Sequence, residues 1–167
     1  MKSKFSRLLS GVTLTLGLSL SAGGDAQTLD LENMLYLETE FGRVVIEMRP
    51  DLAPNHVNQI KTLTRQGFYD GIVFHRVIDG FMAQTGDPTG TGMGGSELPD
   101  LNAEFSREEH VRGTVSMARS QNPHSANSQF FIVFDKAPWL DGQYTVWGRA
   151  VEGMEFVDQI KKGAGQG

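Results

Sequence analysis

The stretch that most constrains the fold runs from residue 74 to residue 84, with the sequence FHRVIDGFMAQ. β-branched and aromatic residues dominate its first half, and Asp79-Gly80 is a strong signal for a tight turn, so the pattern predicts strand, turn and strand. Alternation along the first strand gives it two faces: Arg76 shares one with Phe74 and Ile78, and the other carries His75 and Val77.

Arg76 needs a physical reason, because a buried guanidinium is costly unless it is paired or hydrogen-bonded. One interpretation is a structural ion pair. The other is an arginine that a rigid sheet holds over a binding pocket. Two further stretches bear on this choice: the polar loop SANS (125–128) runs into the apolar segment QFFIVF (129–134), and WLDGQY (139–144) follows.

Together, these three stretches resemble the cyclophilin family of peptidyl-prolyl cis-trans isomerases. The resemblance extends from about residue 34 to about residue 160. It implies an enzyme that rotates X-Pro peptide bonds and needs no metal or cofactor, with Arg76 and Gln84 as the catalytic residues. Proline-containing polypeptides are the implied substrates, and cyclosporin-like compounds are candidate inhibitors. The implied substrate-binding residues are Phe81, Met82, Ala118, Arg119, Gln129, Phe131, Trp139, Leu140 and Tyr144.

The resemblance also implies a role for several of these residues. Phe81, Met82, Phe131 and Leu140 would form an apolar slot for the proline ring, with Trp139 at the rim of the groove. Gln84 would hold Arg76 or the substrate carbonyl, and the Arg119 backbone would pair with an extended peptide as an added strand does. Core packing is the alternative for each apolar residue.

Two positions depart from the family pattern. Tyr144 stands where eukaryotic members commonly have histidine, and Arg119 stands where asparagine is frequent. Tyrosine still offers a ring and a hydroxyl, and only the backbone is thought to act at Arg119, so we expect activity to persist. Substrate preference and affinity for cyclosporin-like inhibitors can differ.

Pattern reading gives about seven short strands and two helices, a spacing that suggests a sandwich or a barrel. The first helix follows Ala53-Pro54, and Ala53, Val57, Ile60 and Leu63 recur on one face. The resemblance implies a mainly β fold: a closed antiparallel eight-stranded barrel capped by two α-helices. The tail 161–167 reads as a loop, so the last strand of that barrel is expected to be missing.

The N-terminus carries a second kind of signal. Lys2, Lys4 and Arg7 precede an apolar stretch, 8–20, and small residues follow at positions 24 and 26. This is typical of a secretory signal peptide cut after Ala26. Residues 1–26 are therefore interpreted as a signal peptide, 27–33 as a linker and 34–167 as the isomerase domain. The expected location is periplasmic or secreted, with no membrane attachment after cleavage.

Composition excludes other classes of function. The formal net charge of −5 argues against nucleic acid as the main partner, and the absence of cysteine excludes disulfides and thiol catalysis. The glycine-rich stretch 86–100 lacks the Gly-Lys-Ser/Thr ending of a phosphate loop and reads as a surface loop. Two alternatives remain: a non-catalytic proline-peptide-binding chaperone and a metal-dependent hydrolase using the histidines. We expect a monomer.

Overall fold

The structure, a computed structural model, describes residues 30–164, so the expected signal peptide lies outside the described residues. The strands are β1 (Met34–Thr39), β2 (Gly42–Met48), β3 (Arg76–Ile78), β4 (Met82–Thr85), β5 (Thr114–Met117), β6 (Phe130–Val133), β7 (Val146–Glu152) and β8 (Gly163–Ala164). The α-helices are α1 (Pro54–Arg65) and α2 (Met154–Val157), and short 3-10 helices span Leu31–Asn33 and Pro138–Leu140. Within residues 30–164, no helix has the length and apolar character that crossing a bilayer requires.

The eight strands form one antiparallel sheet in the order β1-β2-β7-β5-β6-β4-β3-β8. The expectation that the tail is only loop was wrong, because Gly163–Ala164 pairs with Arg76 and Val77 of β3. A closed barrel would also need pairing between β8 and β1. No such pairing occurs within the described residues, so the mainly β, antiparallel character holds and the predicted closure is not confirmed.

The side chains along β4 and β6 alternate between a main core and the face that carries the site. Val77, Ala83, Phe130 and Ile132 point into the main core, which also contains Trp147. The predicted apolar face of α1 is confirmed, since Ala53, Val57, Ile60 and Leu63 are all fully or almost fully buried. The opposite face of β4 and β6 carries a second, smaller apolar cluster around Met82, Phe131 and Leu140.

The hairpin of β3 and β4 has the predicted turn. Phe81 N–H donates to the Ile78 carbonyl at 3.0 Å, and Gly80 has a φ of 65°, a left-handed conformation that suits glycine. Phe74, however, lies outside β3 and packs against the main core. The prediction that Phe74 shares a face with Arg76 was therefore wrong, because period-2 alternation does not extend beyond the end of the strand.

A residue far along the chain caps the start of α1. The residue before the helix, Ala53, has no side chain that can accept a hydrogen bond. Glu104 accepts instead from the backbone N–H groups of Asn55 (3.1 Å) and His56 (3.0 Å), and its carboxylate also meets His56 Nδ1 at 2.5 Å. One carboxylate thus satisfies two orphan helix donors and complements the positive end of the helix.

We predict that Glu104→Ala lowers the free energy of unfolding by about 2 kcal/mol, because it leaves two helix N–H groups and a buried imidazole without their acceptor. Chemical denaturation of the purified protein measures this. Glu97→Ala is the matched control, since Glu97 is exposed and its carboxylate makes no hydrogen bond within residues 30–164. Equal midpoints for the two variants would contradict the capping role.

Candidate active site

The candidate site is built on one row of cross-strand partners. Arg76 of β3 is paired with Gln84 of β4, Gln84 with Phe131 of β6, and Phe131 with Ser116 of β5. Partners in such a row point to the same face of a sheet. Sheet register alone therefore sets a guanidinium, an amide and an aromatic ring side by side.

This row forms part of the lining of a pocket of about 130 Å³. Its lining residues include most of those predicted from the sequence: Arg76, Phe81, Met82, Gln84, Ala118, Arg119, Phe131, Leu140 and Tyr144. Gln129 lines an adjoining groove of about 480 Å³ together with Gln84, Ala118 and Arg119. Trp139 is largely exposed beside the pocket, where its ring packs on Phe81 at 5.6 Å between centroids. The structure thus brings all the predicted site residues together; their individual roles stay predictions.

Arg76 is half-buried and has no acidic partner. No ion pair within residues 30–164 includes it, so the structural ion-pair interpretation is not supported. Its Nη1 instead donates to Gln84 Oε1 at 3.4 Å. A long hydrogen bond to a neutral amide leaves the other guanidinium donors and the positive charge available to a ligand.

Gln84 is in turn connected to the glycine-rich loop. Gln84 Nε2 donates to Gln129 Oε1 at 2.9 Å, and Gln129 Nε2 donates to the carbonyls of Gly92 (3.0 Å) and Gly94 (2.8 Å). A continuous hydrogen-bonded path therefore runs from the loop to Arg76.

The loop folds around Asp87, which is 1% exposed. The carboxylate accepts from the backbone N–H groups of Thr89, Gly92 and Gly94 and from the Thr89 hydroxyl. Burial raises the pKa of Asp87, but these hydrogen bonds outweigh burial and hold the pKa well below its usual range. The sequence reading of 86–100 as a plain surface loop missed this centre. Thr89 two residues after Asp87 is a spacing that favours an Asx turn and could have indicated it.

Arg119 and Tyr144 line the pocket together with Phe131. The Arg119 guanidinium lies 4.7 Å from the Tyr144 ring centre and donates to the Gln143 carbonyl, while the Tyr144 ring meets Phe131 edge-on at 5.7 Å. The Arg119 side chain is thus occupied within the protein. Its backbone N–H and C=O make no hydrogen bond within residues 30–164, so both groups are available to an extended peptide.

A buried polar group supports Phe131 from behind. The His110 ring stacks on Phe131 with an interplanar angle of 19°. Its Nδ1 meets Asp141 at 2.9 Å and its Nε2 meets Ser116 Oγ at 3.0 Å. Ser116 and His110 are almost fully buried, so a substrate cannot reach this serine, and the group holds the 138–141 turn against the sheet. Sequence reasoning missed this group, because His110 and Asp141 are distant in sequence.

His75 immediately precedes β3. Both ring nitrogens of His75 are buried without a hydrogen-bond partner within residues 30–164. Its imidazole fills space beneath Gly92 of the loop. No cluster of three potential metal ligands occurs within residues 30–164.

Comparison with known families agrees with this geometry. The family model described as "Cyclophilin type peptidyl-prolyl cis-trans isomerase/CLD" matches residues 34–167. A "Probable peptidyl-prolyl cis-trans isomerase" of Brucella suis is 57% identical over 160 residues, covering 89% of this chain and 82% of the relative. The human "Peptidyl-prolyl cis-trans isomerase-like 3" is 42% identical over 130 residues, covering 75% of this chain and 80% of the relative.

Solved structures are similar as well. A cyclophilin from Hirschia baltica superposes with a TM-score of 0.74 at 31% identity, covering 81% of this chain and 70% of the other. A Cryptosporidium parvum cyclophilin type peptidyl-prolyl cis-trans isomerase, solved in the presence of the dipeptide Ala-Pro, gives a TM-score of 0.73 at 32% identity, covering 76% of this chain and 84% of the other.

We predict that the protein loses stability as the pH falls from 7 to 5. Burial lowers the pKa of His56, His75 and His110 in the folded chain, so the unfolded chain binds protons first, near pH 6.5. The three neutral histidines therefore contribute to the free energy of unfolding above that pH. This contribution is lost as the pH falls towards their pKa values in the folded chain. We expect the free energy of unfolding to be lower by about 1–3 kcal/mol at pH 5.

Urea denaturation at a series of pH values measures this change. His75→Phe should reduce the difference in the free energy of unfolding between pH 7 and pH 5, because it removes one of the three buried imidazoles. A free energy of unfolding that stays constant over this range would contradict the prediction.

Proposed function

This chain belongs to the cyclophilin-type peptidyl-prolyl cis-trans isomerase family, and from that premise we propose that its Arg76 pocket accelerates rotation about X-Pro bonds in polypeptides. The observation that carries the proposal is the position of Arg76. It lies half-buried in the pocket, in one cross-strand row with Gln84 and Phe131, and it donates a hydrogen bond to a neutral amide rather than to a carboxylate.

The chemistry of the reaction explains why such an arginine is useful. Resonance in the peptide C–N bond creates a barrier of about 20 kcal/mol, and a catalyst must bind the twisted amide better than either planar form. In the twisted state the proline nitrogen regains a lone pair that can accept a hydrogen bond. An arginine is always charged, so it can donate to this lone pair at any working pH without a proton transfer.

The remaining residues would orient the substrate. The apolar pocket walls of Phe81, Met82, Phe131 and Leu140 suit a proline ring. Gln84 would keep the guanidinium directed into the pocket, and the free backbone groups of Arg119 suit an extended peptide. The Ala-Pro dipeptide present with the Cryptosporidium parvum relative supports a proline-containing ligand for this pocket. Cyclosporin-like compounds would compete for the same walls.

We expect Arg76→Ala to lower kcat/KM more than tenfold, which corresponds to about 1.4 kcal/mol of transition-state stabilisation. The measurement is the proline-limited slow phase of a refolding protein, with circular dichroism to verify the fold. Arg65→Ala is the matched control, since Arg65 is an exposed arginine of α1 paired with Glu32.

Three outcomes separate the possibilities. A loss below tenfold would contradict the role of Arg76. Binding of the peptide without acceleration by the unaltered protein would favour the alternative, a non-catalytic proline-peptide-binding chaperone. Activity that is indifferent to a chelator would dismiss the metal-dependent hydrolase hypothesis.

We further propose that the protein assists folding in an exported compartment, periplasmic or extracellular. Three features of the sequence support this: the basic residues Lys2, Lys4 and Arg7, the apolar stretch 8–20, and the small residues at positions 24 and 26. Cleavage after Ala26 would change the formal net charge from −5 to −7. These residues lie outside the described structure.

Expression of the full chain in a Gram-negative host tests export. We expect the processed protein in the periplasm or medium, beginning at Gln27 by mass spectrometry. Ala26→Phe should block cleavage, because the enlarged side chain does not fit the site that the peptidase reads. An unprocessed chain in the cytosol would contradict export.

A further inference from the structure

We propose that Asp87 is a positioning residue for Arg76, acting through the glycine-rich loop and the side-chain amides of Gln129 and Gln84. This inference rests on the proposed function for its effect on catalysis. The chain of contacts that carries it can be tested separately.

The first step is the shape of the loop. The Oδ1 atom of Asp87 accepts from the Thr89 N–H and hydroxyl, both at 2.8 Å, and Oδ2 accepts from the N–H groups of Gly92 at 2.6 Å and Gly94 at 3.1 Å. A Cβ atom at Gly94 would collide with the carboxylate. Both oxygens of the buried Asp87 carboxylate therefore accept hydrogen bonds that keep these N–H groups pointing towards the carboxylate.

The second step is the orientation of Gln129. The carbonyls of Gly92 and Gly94 both accept from Gln129 Nε2. An amide nitrogen has two hydrogens and its oxygen can only accept, so the two carbonyls use both hydrogens. Gln129 must therefore present its oxygen to Gln84.

The third step passes the same constraint to Arg76. Gln84 meets the Gln129 oxygen with its Nε2 and consequently presents Oε1 to the guanidinium. If the carbonyls of Gly92 and Gly94 moved away, the side-chain amide of Gln129 could flip. The amide of Gln84 would then flip as well to keep its hydrogen bond with Gln129. An amide NH₂ would then face the guanidinium, donor against donor, and Arg76 would lose the acceptor that holds it.

A neutral relay suits this role better than an acidic residue next to Arg76. A carboxylate would pair with the guanidinium through two parallel hydrogen bonds and would occupy its donors. In this structure the negative charge is held at Asp87, which is satisfied by its own loop, and the side-chain hydrogen bond that Arg76 makes within residues 30–164 goes to an amide oxygen.

The test variant is Asp87→Asn, which keeps the shape of the side chain. Its amide accepts on one side only, so an NH₂ group must face either Thr89 or the Gly92 and Gly94 N–H groups. Asp135→Asn is the matched control, because Asp135 is exposed and, within residues 30–164, its carboxylate accepts a hydrogen bond only from the N–H of Lys136. We expect Asp87→Asn to lower kcat/KM about tenfold, mainly through kcat.

A double-mutant cycle distinguishes positioning from simple structural support. In a Gln84→Ala background the relay is already interrupted, so Asp87→Asn should cause no further loss of kcat/KM. The proposal would be overturned if the two substitutions lowered kcat/KM independently, so that their losses multiplied in the double variant. It would also be overturned if the kcat/KM of Asp87→Asn alone stayed within about twofold of that of the unaltered protein.

Side-chain amide resonances in NMR spectra give a readout that does not depend on activity. The NH₂ signals of Gln84 and Gln129 should move in Asp87→Asn and stay in place in Asp135→Asn. Unchanged signals would overturn the relay, even in an active enzyme. Moved signals in a protein without isomerase activity would support the relay and reject the proposed function.

If Asp87→Asn does not fold, Gln129→Leu tests the same path. The leucine side chain can neither donate to the carbonyls of Gly92 and Gly94 nor accept from Gln84. We expect the Gln84 NH₂ signal to move and kcat/KM to fall. A folded Gln129→Leu variant in which both stay unchanged would overturn the proposal.

Discussion

The register of β3, β4 and β6 is the constraint on which both the core and the site depend. One row of partners sets Arg76, Gln84 and Phe131 on the same face of the sheet, while Val77 and Ala83 point into the main core. A slip of one residue in β3 would exchange these faces and move the guanidinium into the core. The turn at Asp79-Gly80 and the apolar core exclude other registers, and in this way they keep Arg76 on the pocket face of the sheet.

Keeping Arg76 without an acidic partner has an energetic consequence. A half-buried guanidinium beside apolar walls loses hydration, and a single 3.4 Å hydrogen bond to Gln84 compensates for little of that loss. The same poorly screened surroundings strengthen its attraction to any lone pair that forms in the pocket. The polar groups from Gln84 to Asp87 are hydrogen-bonded among themselves, and the hydrogen bond that Arg76 makes within residues 30–164 goes to a neutral amide.

Much of this arrangement could be predicted from the sequence, and the errors have a common origin. The strand–turn–strand unit, the buried face of α1 and the group of residues around the pocket follow from local periodicity and the family motifs. Phe74 was assigned to the wrong face because the strand begins two residues later. The two-residue β8 was read as loop because Gly163 and Ala164 carry no strand preference of their own; their pairing with Arg76 and Val77 defines the strand.

The sequence by itself determined which residue types alternate, where the chain turns and which side of each strand is apolar, because these depend on neighbours one to four positions apart. Only the tertiary structure decided where the buried polar groups find their partners. Glu104 caps a helix 48 residues earlier in the chain, and Gln129 reaches loop carbonyls 35 and 37 residues away. Each such contact is fixed by distances across the folded chain, and no spacing in the sequence encodes those distances.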